Sequence, residues 1–437
     1  MITRILVVLS LLFAHGALAQ DAPLPAADAV FPEAPEAQVA LGRLLFYDPI
    51  LSGSRTVACA TCHHPRFGTS DGVSLGVGDG GIGLGPERRV DPKNMPERRV
   101  ARNAPALFNL GAAGFTSLFH DGRLEADASL PDGIRTPMGT EMVAGFDSVL
   151  SAQAMFPVLA GDEMAGHRGE NDVSLATSRG LITGPGGAWS IIAARVAAIP
   201  DYRARFDRVI GADAPVRFTD IANAIAAFTA FEWRADDSPF DRYLRGEADL
   251  PPAQMRGLRL FYGKAGCAAC HSGQFQTDDA FHAIAMPQIG PGKAATFENH
   301  QRDEGRMRVT GRPEDAYRFR TPSLRNVTAT APYGHDGAYA TLEAVVRHHL
   351  DPVASLMAYD IGQATLPDLP GAVDEWVLAR PDEMRAISEA NELAPVALSD
   401  AELADLLAFL GALTDEAGLA GRLGVPDAVP SGLPVPR

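Results

Sequence analysis

The sequence predicts a mostly α fold made of two related units in tandem, with long loops. Three observations predict it. No stretch of the 437 residues alternates polar and apolar side chains over a strand's length, whereas several repeat at helical spacing. A set of short segments occurs twice in the same order. The 43 glycines and 33 prolines exceed ordinary usage and call for extended, ordered loops.

The N-terminus reads as an address. Arg4 precedes the apolar run Ile5 to Ala14, and Ala17-Leu18-Ala19 supplies the small residues of a cleavage site. Residues 1–19 are therefore expected to be a secretory signal peptide, with the mature chain starting near Gln20 and a periplasmic location. The run is too short to span a membrane, and no later stretch of 18 apolar residues follows. A composition of 46% hydrophobic and 21% charged residues excludes dominant disorder. The net charge of −16 excludes a general nucleic-acid binder, which carries basic patches, but suits steering of a basic protein partner.

All four cysteines lie in two copies of one pattern, Cys59-Ala-Thr-Cys62-His63 and Cys267-Ala-Ala-Cys270-His271. Two disulfides would make an odd framework, since each pair is followed by His. Zinc knuckles lie far closer together than these motifs do. A thioredoxin-type site needs a βαβ context, which is absent from the pattern. Cys-x-x-Cys-His is the attachment signature of c-type haem. Two covalent haems follow, with His63 and His271 as the first axial ligands, in cytochrome c-like haem units.

The units justify themselves in order. Leu45-Phe46-Tyr47 and Leu260-Phe261-Tyr262 end helix-like segments before each motif. After each come Pro-x-Leu-x-Asn (105–109 and 322–326) and His-Asp-Gly (120–122 and 335–337). The amphipathic stretch Ile221, Ala222, Ile225, Phe228, Phe231 precedes a boundary near Asp236-Asp237-Ser238-Pro239. That assigns 20–237 to an N-terminal haem unit and 238–437 to a C-terminal haem unit. Ser399-Asp400-Ala401-Glu402 is a capping box leading into Leu403, Leu406, Leu407 and Leu410. The Pro-rich tail after Arg422 is expected on the surface.

A haem iron with two protein ligands carries electrons, and one with an empty place activates small molecules. Leu342, Val345, Val346 and His349 share one helix face, so His349 is the candidate second ligand of the His271 haem. His348 points about 100° away and is the alternative, with Met286, Met307 and Met357 behind it. For the first haem the supply is thin. Between His64 and His120 the chain has no histidine, and Met95 is the sole methionine. The first haem is expected to keep an open place beside the glycine-rich loop Gly72 to Gly85.

From about Leu41 to Leu350 the chain resembles the bacterial dihaem cytochrome c peroxidase family, its MauG-like branch included. The resemblance rests on both haem motifs, Asn103-Ala-Pro-Ala-Leu107, Asp121-Gly-Arg123, Gln153-Ala154, Glu163-Met164, and Thr321-Pro-Ser-Leu-Arg-Asn326 through Pro332-Tyr-Gly-His-Asp-Gly337, in order. It implies that the His63 haem takes hydrogen peroxide and the His271 haem delivers electrons. Gln153 and Glu163 match the distal pair, which positions peroxide and moves its proton. Read alone, Glu163 would be a solvated loop residue. The resemblance also implies a calcium ion held by the Asn103 side chain and the backbone carbonyls of Thr330 and Pro332, and allows a homodimer.

The departures from the pattern are informative. Asp79 stands where typical members carry a histidine that blocks the resting peroxide site, which implies a permanently open first haem. His349 stands fourteen residues after His335, where relatives carry Met or Tyr. His120 replaces a tryptophan between the haems. A long insertion separates Asp121 from Gln153. The leading function is reduction of peroxide with electrons from a small cytochrome c or cupredoxin. The alternatives are MauG-like oxidation of a partner protein through a high-valent state, and a dihaem electron carrier without turnover.

Overall fold

The computed structural model describes residues 22–295 and 297–437. The predicted signal peptide, 1–19, lies outside them. Among the described residues no helix is long and apolar enough to cross a membrane.

The chain is rich in helices, with only short strands. The helix Glu36–Tyr47, which ends in the first Leu-Phe-Tyr, crosses the helix Phe218–Glu232 at Gly42. A Cβ at Gly42 would lie 1.8 Å from the Ala224 carbonyl oxygen and 2.8 Å from the Phe228 Cβ. Only glycine lets the two backbones come this close. The second half repeats the device. Pro252–Tyr262 ends in the other Leu-Phe-Tyr and crosses Asp400–Gly411 at Gly257. There a Cβ would lie 1.9 Å from the Asp405 carbonyl oxygen and 2.7 Å from the Phe409 Cβ.

Aromatic side chains fill both crossings. Phe46, Phe228 and Trp233 pack with ring centroids 5.0–5.4 Å apart, and Phe240, Phe261 and Phe409 repeat the arrangement. Burying each such side chain stabilises the fold by roughly 1.5–3 kcal/mol. The expected stripe Ile221, Ala222, Ile225 and Phe228 is buried, with Phe231 half-buried. Ser399 and Glu402 form the expected capping box, and Leu403, Leu406 and Leu410 are buried behind it.

The strands are local braces. Gly81–Ile82 pairs with Arg89–Val90 and closes the glycine-rich loop. Ser117–Leu118, Leu124–Ala126 and Ile134–Arg135 form a three-stranded sheet that holds the start of the insertion. Phe281–His282 pairs with Phe319–Arg320.

The tail after Arg422 lies on the surface as expected, with only Pro426 and Val429 buried, but it is firmly docked there. It folds back on the first half, where Val429 is buried and Val425, Leu433 and Val435 pack against the same core. Two buried carboxylates anchor it. Glu232 accepts the amides of Leu423 and Gly424 at 2.7 Å. Asp48 accepts the Ser431 hydroxyl at 2.6 Å and the Tyr202 hydroxyl at 2.7 Å. The apolar residues between its prolines, and these donors, are what a proline count overlooks.

Candidate functional site

Each Cys-x-x-Cys-His motif forms one tight turn. The His63 amide donates to the Cys59 carbonyl and the His271 amide to the Cys267 carbonyl, both at 2.9 Å. All four thiols are free and half-buried, so the disulfide reading fails. Burial pushes the thiols of Cys59, Cys62 and Cys267 up to about 12 and raises Cys270 as well. They are neutral thiols, suited to bonding an unsaturated carbon and not to binding a bare metal as thiolates.

The histidines carry the same arrangement. His63 Nδ1 donates to the Thr69 carbonyl at 3.0 Å and His271 Nδ1 to the Gln276 carbonyl at 3.0 Å. A carbonyl only accepts, so the proton sits on Nδ1 and Nε2 keeps its lone pair for a metal. His349 Nδ1 donates to the Val345 carbonyl at 2.7 Å, which leaves its Nε2 free too. The His271 and His349 rings face each other with centroids 6.3 Å apart. Two imidazoles on one metal, each with a bond of about 2.0–2.1 Å, need this separation. The donor set and spacing fit a haem iron between them.

His348 behaves differently. It is turned from His349 as the helical spacing requires, yet it is fully buried, because Tyr339 and the Ile284 backbone cover that side. Its Nε2 donates to the Ile284 carbonyl at 2.8 Å and its Nδ1 accepts from the Tyr339 hydroxyl at 3.0 Å. Neither nitrogen is left for a metal. Met357 is 55% exposed and Met286 is buried beside Gly334.

Near the first motif, Glu163 sits on the π-turn Gly161–Ala165, where the Ala165 amide reaches the Ala160 carbonyl at 2.9 Å. Such turns often occur at functional sites. Burial raises the Glu163 carboxyl above its ordinary value; Lys293 and Arg123 oppose the rise and Asp162 adds to it. The Gly53 amide donates to the Met164 carbonyl at 2.8 Å, which ties the π-turn to the segment leading into the first haem motif. Gln153 lies in the helix Val149–Ala154, one short turn upstream. Among the described residues neither the Gln153 nor the Glu163 side chain has a hydrogen-bond partner, so both are available to a ligand.

The glycine-rich loop lies on the Glu163 backbone. A Cβ at Gly78 would come within 2.2 Å of the Asp162 carbonyl oxygen and 2.8 Å of the Glu163 Cα. Arg88 clasps this loop from within, donating to the carbonyls of Gly78 at 2.6 Å, Gly83 at 2.7 Å and Val77. Asp79 is fully buried, and its Oδ1 accepts from the Ser54 hydroxyl at 2.8 Å, the Gly80 amide at 3.0 Å and the Thr56 hydroxyl at 3.3 Å. Sequence reasoning missed Arg88 as the brace of this loop, its one signal being an arginine just after the loop's glycines.

Where the halves meet, Ser74 Oγ donates to the Gly337 carbonyl at 2.6 Å and the Asn103 amide to the His335 carbonyl at 2.9 Å. Asn103 Nδ2 donates to the Val73 carbonyl at 2.9 Å. Among the described residues its Oδ1 and the carbonyls of Thr330 and Pro332 accept no hydrogen bond. Hard oxygens free of other duties suit calcium. His120 Nε2 donates to the Asn103 carbonyl at 3.2 Å, and burial, reinforced by Arg102, brings its pKa down to about 4. The ring is uncharged. Close by, His335 stacks on Phe319 with centroids 3.8 Å apart.

Residues 36–249 match the family model of the di-haem cytochrome c peroxidases. The chain is 32% identical to the methylamine utilization protein MauG of Methylorubrum extorquens, over 76% of this chain and 72% of that one. It is 30% identical to the cytochrome-c peroxidase IdrP1 of Denitromonas iodatirespirans, over 86% and 81% respectively. Among solved structures it is similar to a MauG-like protein associated with microbial copper homeostasis, with 28% identity, a TM-score of 0.59 and coverage of 93% and 97%.

Proposed function

Because the chain belongs to the di-haem cytochrome c peroxidase family, we propose that it is a periplasmic enzyme whose His63 haem reduces hydrogen peroxide with electrons passed through the His271/His349 haem from a small cytochrome c or cupredoxin. Peroxide, two electrons and two protons give two waters. Residues 20–237 form the peroxidatic unit and 238–437 the electron-transfer unit. The thiols of Cys59, Cys62, Cys267 and Cys270 carry the two haems, and calcium sits on Asn103, Thr330 and Pro332 between the halves.

When bound, the haems supply an iron with one free coordination place and a route for electrons. The protein supplies position and proton transfer. Gln153 orients peroxide through its amide. Glu163 takes the proton from the nearer peroxide oxygen and returns it to the farther one as the O–O bond breaks. Burial raises the Glu163 carboxyl, which brings its proton affinity closer to what a residue that both accepts and donates needs. The carrying observation is this carboxyl on its π-turn, without a hydrogen-bond partner among the described residues, with Gly78 packed against the backbone of that turn. Arg88 and Asp79 hold the loop where it is, the Asp79 Oδ1 accepting from Ser54, Thr56 and Gly80. That favours a site open without prior reduction.

The test is peroxide-dependent oxidation of a reduced small cytochrome c by holoprotein carrying two covalent haems by mass. The same Asp79 arrangement favours a second reading, oxidation of a residue on a partner protein. A haem spectrum that responds to peroxide while the donor stays reduced selects it.

A further inference from the structure

A cavity of about 290 Å³, open on one side, lies in the first half of the chain. Neither Gln153, Glu163 nor any residue of the haem motifs lines it. Its wall is apolar: Trp189 and Ala193 from the helix Ala188–Ala197, Phe218, and Met155. The Trp189 and Phe218 rings stack there, with centroids 6.4 Å apart and planes 26° apart. The Trp189 indole donates to the Met155 carbonyl at 2.8 Å, which fixes its ring. Val143 and Ala144, from the long insertion, close another side. That segment is pinned by Asn223, which donates to the Gly145 carbonyl at 2.9 Å and accepts the Asp147 amide at 3.1 Å.

One end of the cavity is polar, because the helix Phe218–Glu232 begins there. The first amides of a helix have no partner within it. Among the described residues those of Phe218 and Thr219 find none outside it either. Thr219 is 2% exposed, and its hydroxyl also lacks a hydrogen-bond partner among the described residues. A buried hydroxyl left in this state costs stability. Arg217 stands beside it. Its Nε and Nη2 donate to Asp220 at 3.4 Å and 3.1 Å, and its amide does so at 2.8 Å, so Nη1 remains uncommitted. A Cβ built on Gly145 would lie 3.7 Å from both the Arg217 Nη1 and the Thr219 Oγ1. The guanidinium and the hydroxyl therefore converge on one point beside Ala144.

We propose that this cavity is a binding site for a small carboxylic acid with one apolar ring. The ring lies among Trp189, Phe218 and Ala193, and the carboxylate takes the Thr219 hydroxyl, the first amides of the helix and Arg217. The amides and the guanidinium only donate, and the hydroxyl can donate too, so the group that satisfies them accepts. A helix start and an arginine together favour a negative acceptor. The size agrees: an apolar cavity of about 150 Å³ holds benzene, and this one has room for a ring with its carboxylate. The site is separate from peroxide reduction and does not depend on the roles given to Gln153 and Glu163.

The test is calorimetric titration of holoprotein with sodium benzoate, with cyanide present so that benzoate cannot bind at a haem iron. One benzoate per chain should bind. Thr219→Val, which keeps the shape and removes the hydroxyl, should weaken it by roughly 10-fold. Arg217→Met should weaken it by about 3-fold, because that guanidinium is exposed and screened by solvent. Ala193→Leu fills the cavity and should abolish binding, and Ala194→Leu at its edge serves as a second filled variant. Haem content and thermal midpoint check folding of each. Benzyl alcohol, of the same shape but neutral, should bind at least about 10-fold more weakly than benzoate. No binding of benzoate by the native protein would overturn the site. Unchanged affinity in Thr219→Val and in the filled variants would place benzoate elsewhere and overturn it too. Equal affinity for benzyl alcohol would overturn the assignment of a carboxylate.

Discussion

The imidazole of His349 faces that of His271 across 6.3 Å, with both Nδ1 atoms tied to backbone carbonyls. The neighbouring His348 has both nitrogens engaged by protein. His349→Ala should therefore keep the second haem attached but convert it from low-spin to high-spin, read by absorption and paramagnetic resonance. His348→Ala should keep the low-spin signal. It should lose about 1–3 kcal/mol of stability, because the Tyr339 hydroxyl and the Ile284 carbonyl lose their partner. The reverse pattern would assign the ligand to His348.

Gly42 and Gly257 make the same demand in the two halves. Gly42→Ala and Gly257→Ala each force a carbon to within 2 Å of a carbonyl oxygen, so the helices must separate. Overpacking of this kind costs about 1–3 kcal/mol and sometimes more. Denaturant unfolding should show losses at the upper end of that range for both. A loss confined to one glycine would mean that the crossings are not equivalent.

Arg88→Ala should leave the carbonyls of Val77 and Gly83 without their donor and the Gly78 carbonyl with the Gly81 amide alone. The loop against Glu163 then loosens while both haems stay attached. The rate of the peroxide-induced spectral change should fall by roughly 10- to 100-fold, the scale on which a displacement of about 1 Å acts. Stopped-flow absorbance measures it, with haem content as the control.

The Arg102–Asp303 pair joins the halves inside the protein. Although burial alone would raise it, Asp303 is held well below the usual carboxylate range by the Arg102 guanidinium. A lowered carboxylate pKa stabilises the fold fully above the unfolded value near pH 4, and the contribution fades as pH falls toward the folded value. Asp303→Asn should cost about 1.5–3 kcal/mol at neutral pH, because it removes one of two carboxylates on the buried Arg102 and leaves Asp121 at 2.7 Å. The gap from wild type should narrow below pH 4. A gap independent of pH would mean that packing, and not charge, holds this contact.

Much of this was legible in the sequence, for identifiable reasons. Leu342, Val345, Val346 and His349 revealed their shared face because helical spacing is local. Ser399 and Glu402 marked their helix start because a capping box is complete within four residues. The haem motifs carry their chemistry in five residues each. The rest depended on distance in the chain. Asp303 lies 201 positions from Arg102, and nothing near either residue marks the pairing. Arg88 acts on backbone carbonyls, which leave no trace in residue identity. His348 stayed open as an alternative ligand because periodicity shows which residues share a face, not whether a second element covers the other one. Tyr339 and Ile284 do cover it.

The most direct measurement compares holoprotein with Glu163→Gln in peroxide-dependent oxidation of a reduced small cytochrome c. The account predicts turnover by the native protein, with an acidic limb above the ordinary carboxylate range because burial raises Glu163. It predicts loss of turnover by at least about 100-fold in the variant, the lower end of what one general acid–base residue contributes, with both haems retained. Equal turnover by the two proteins would contradict it.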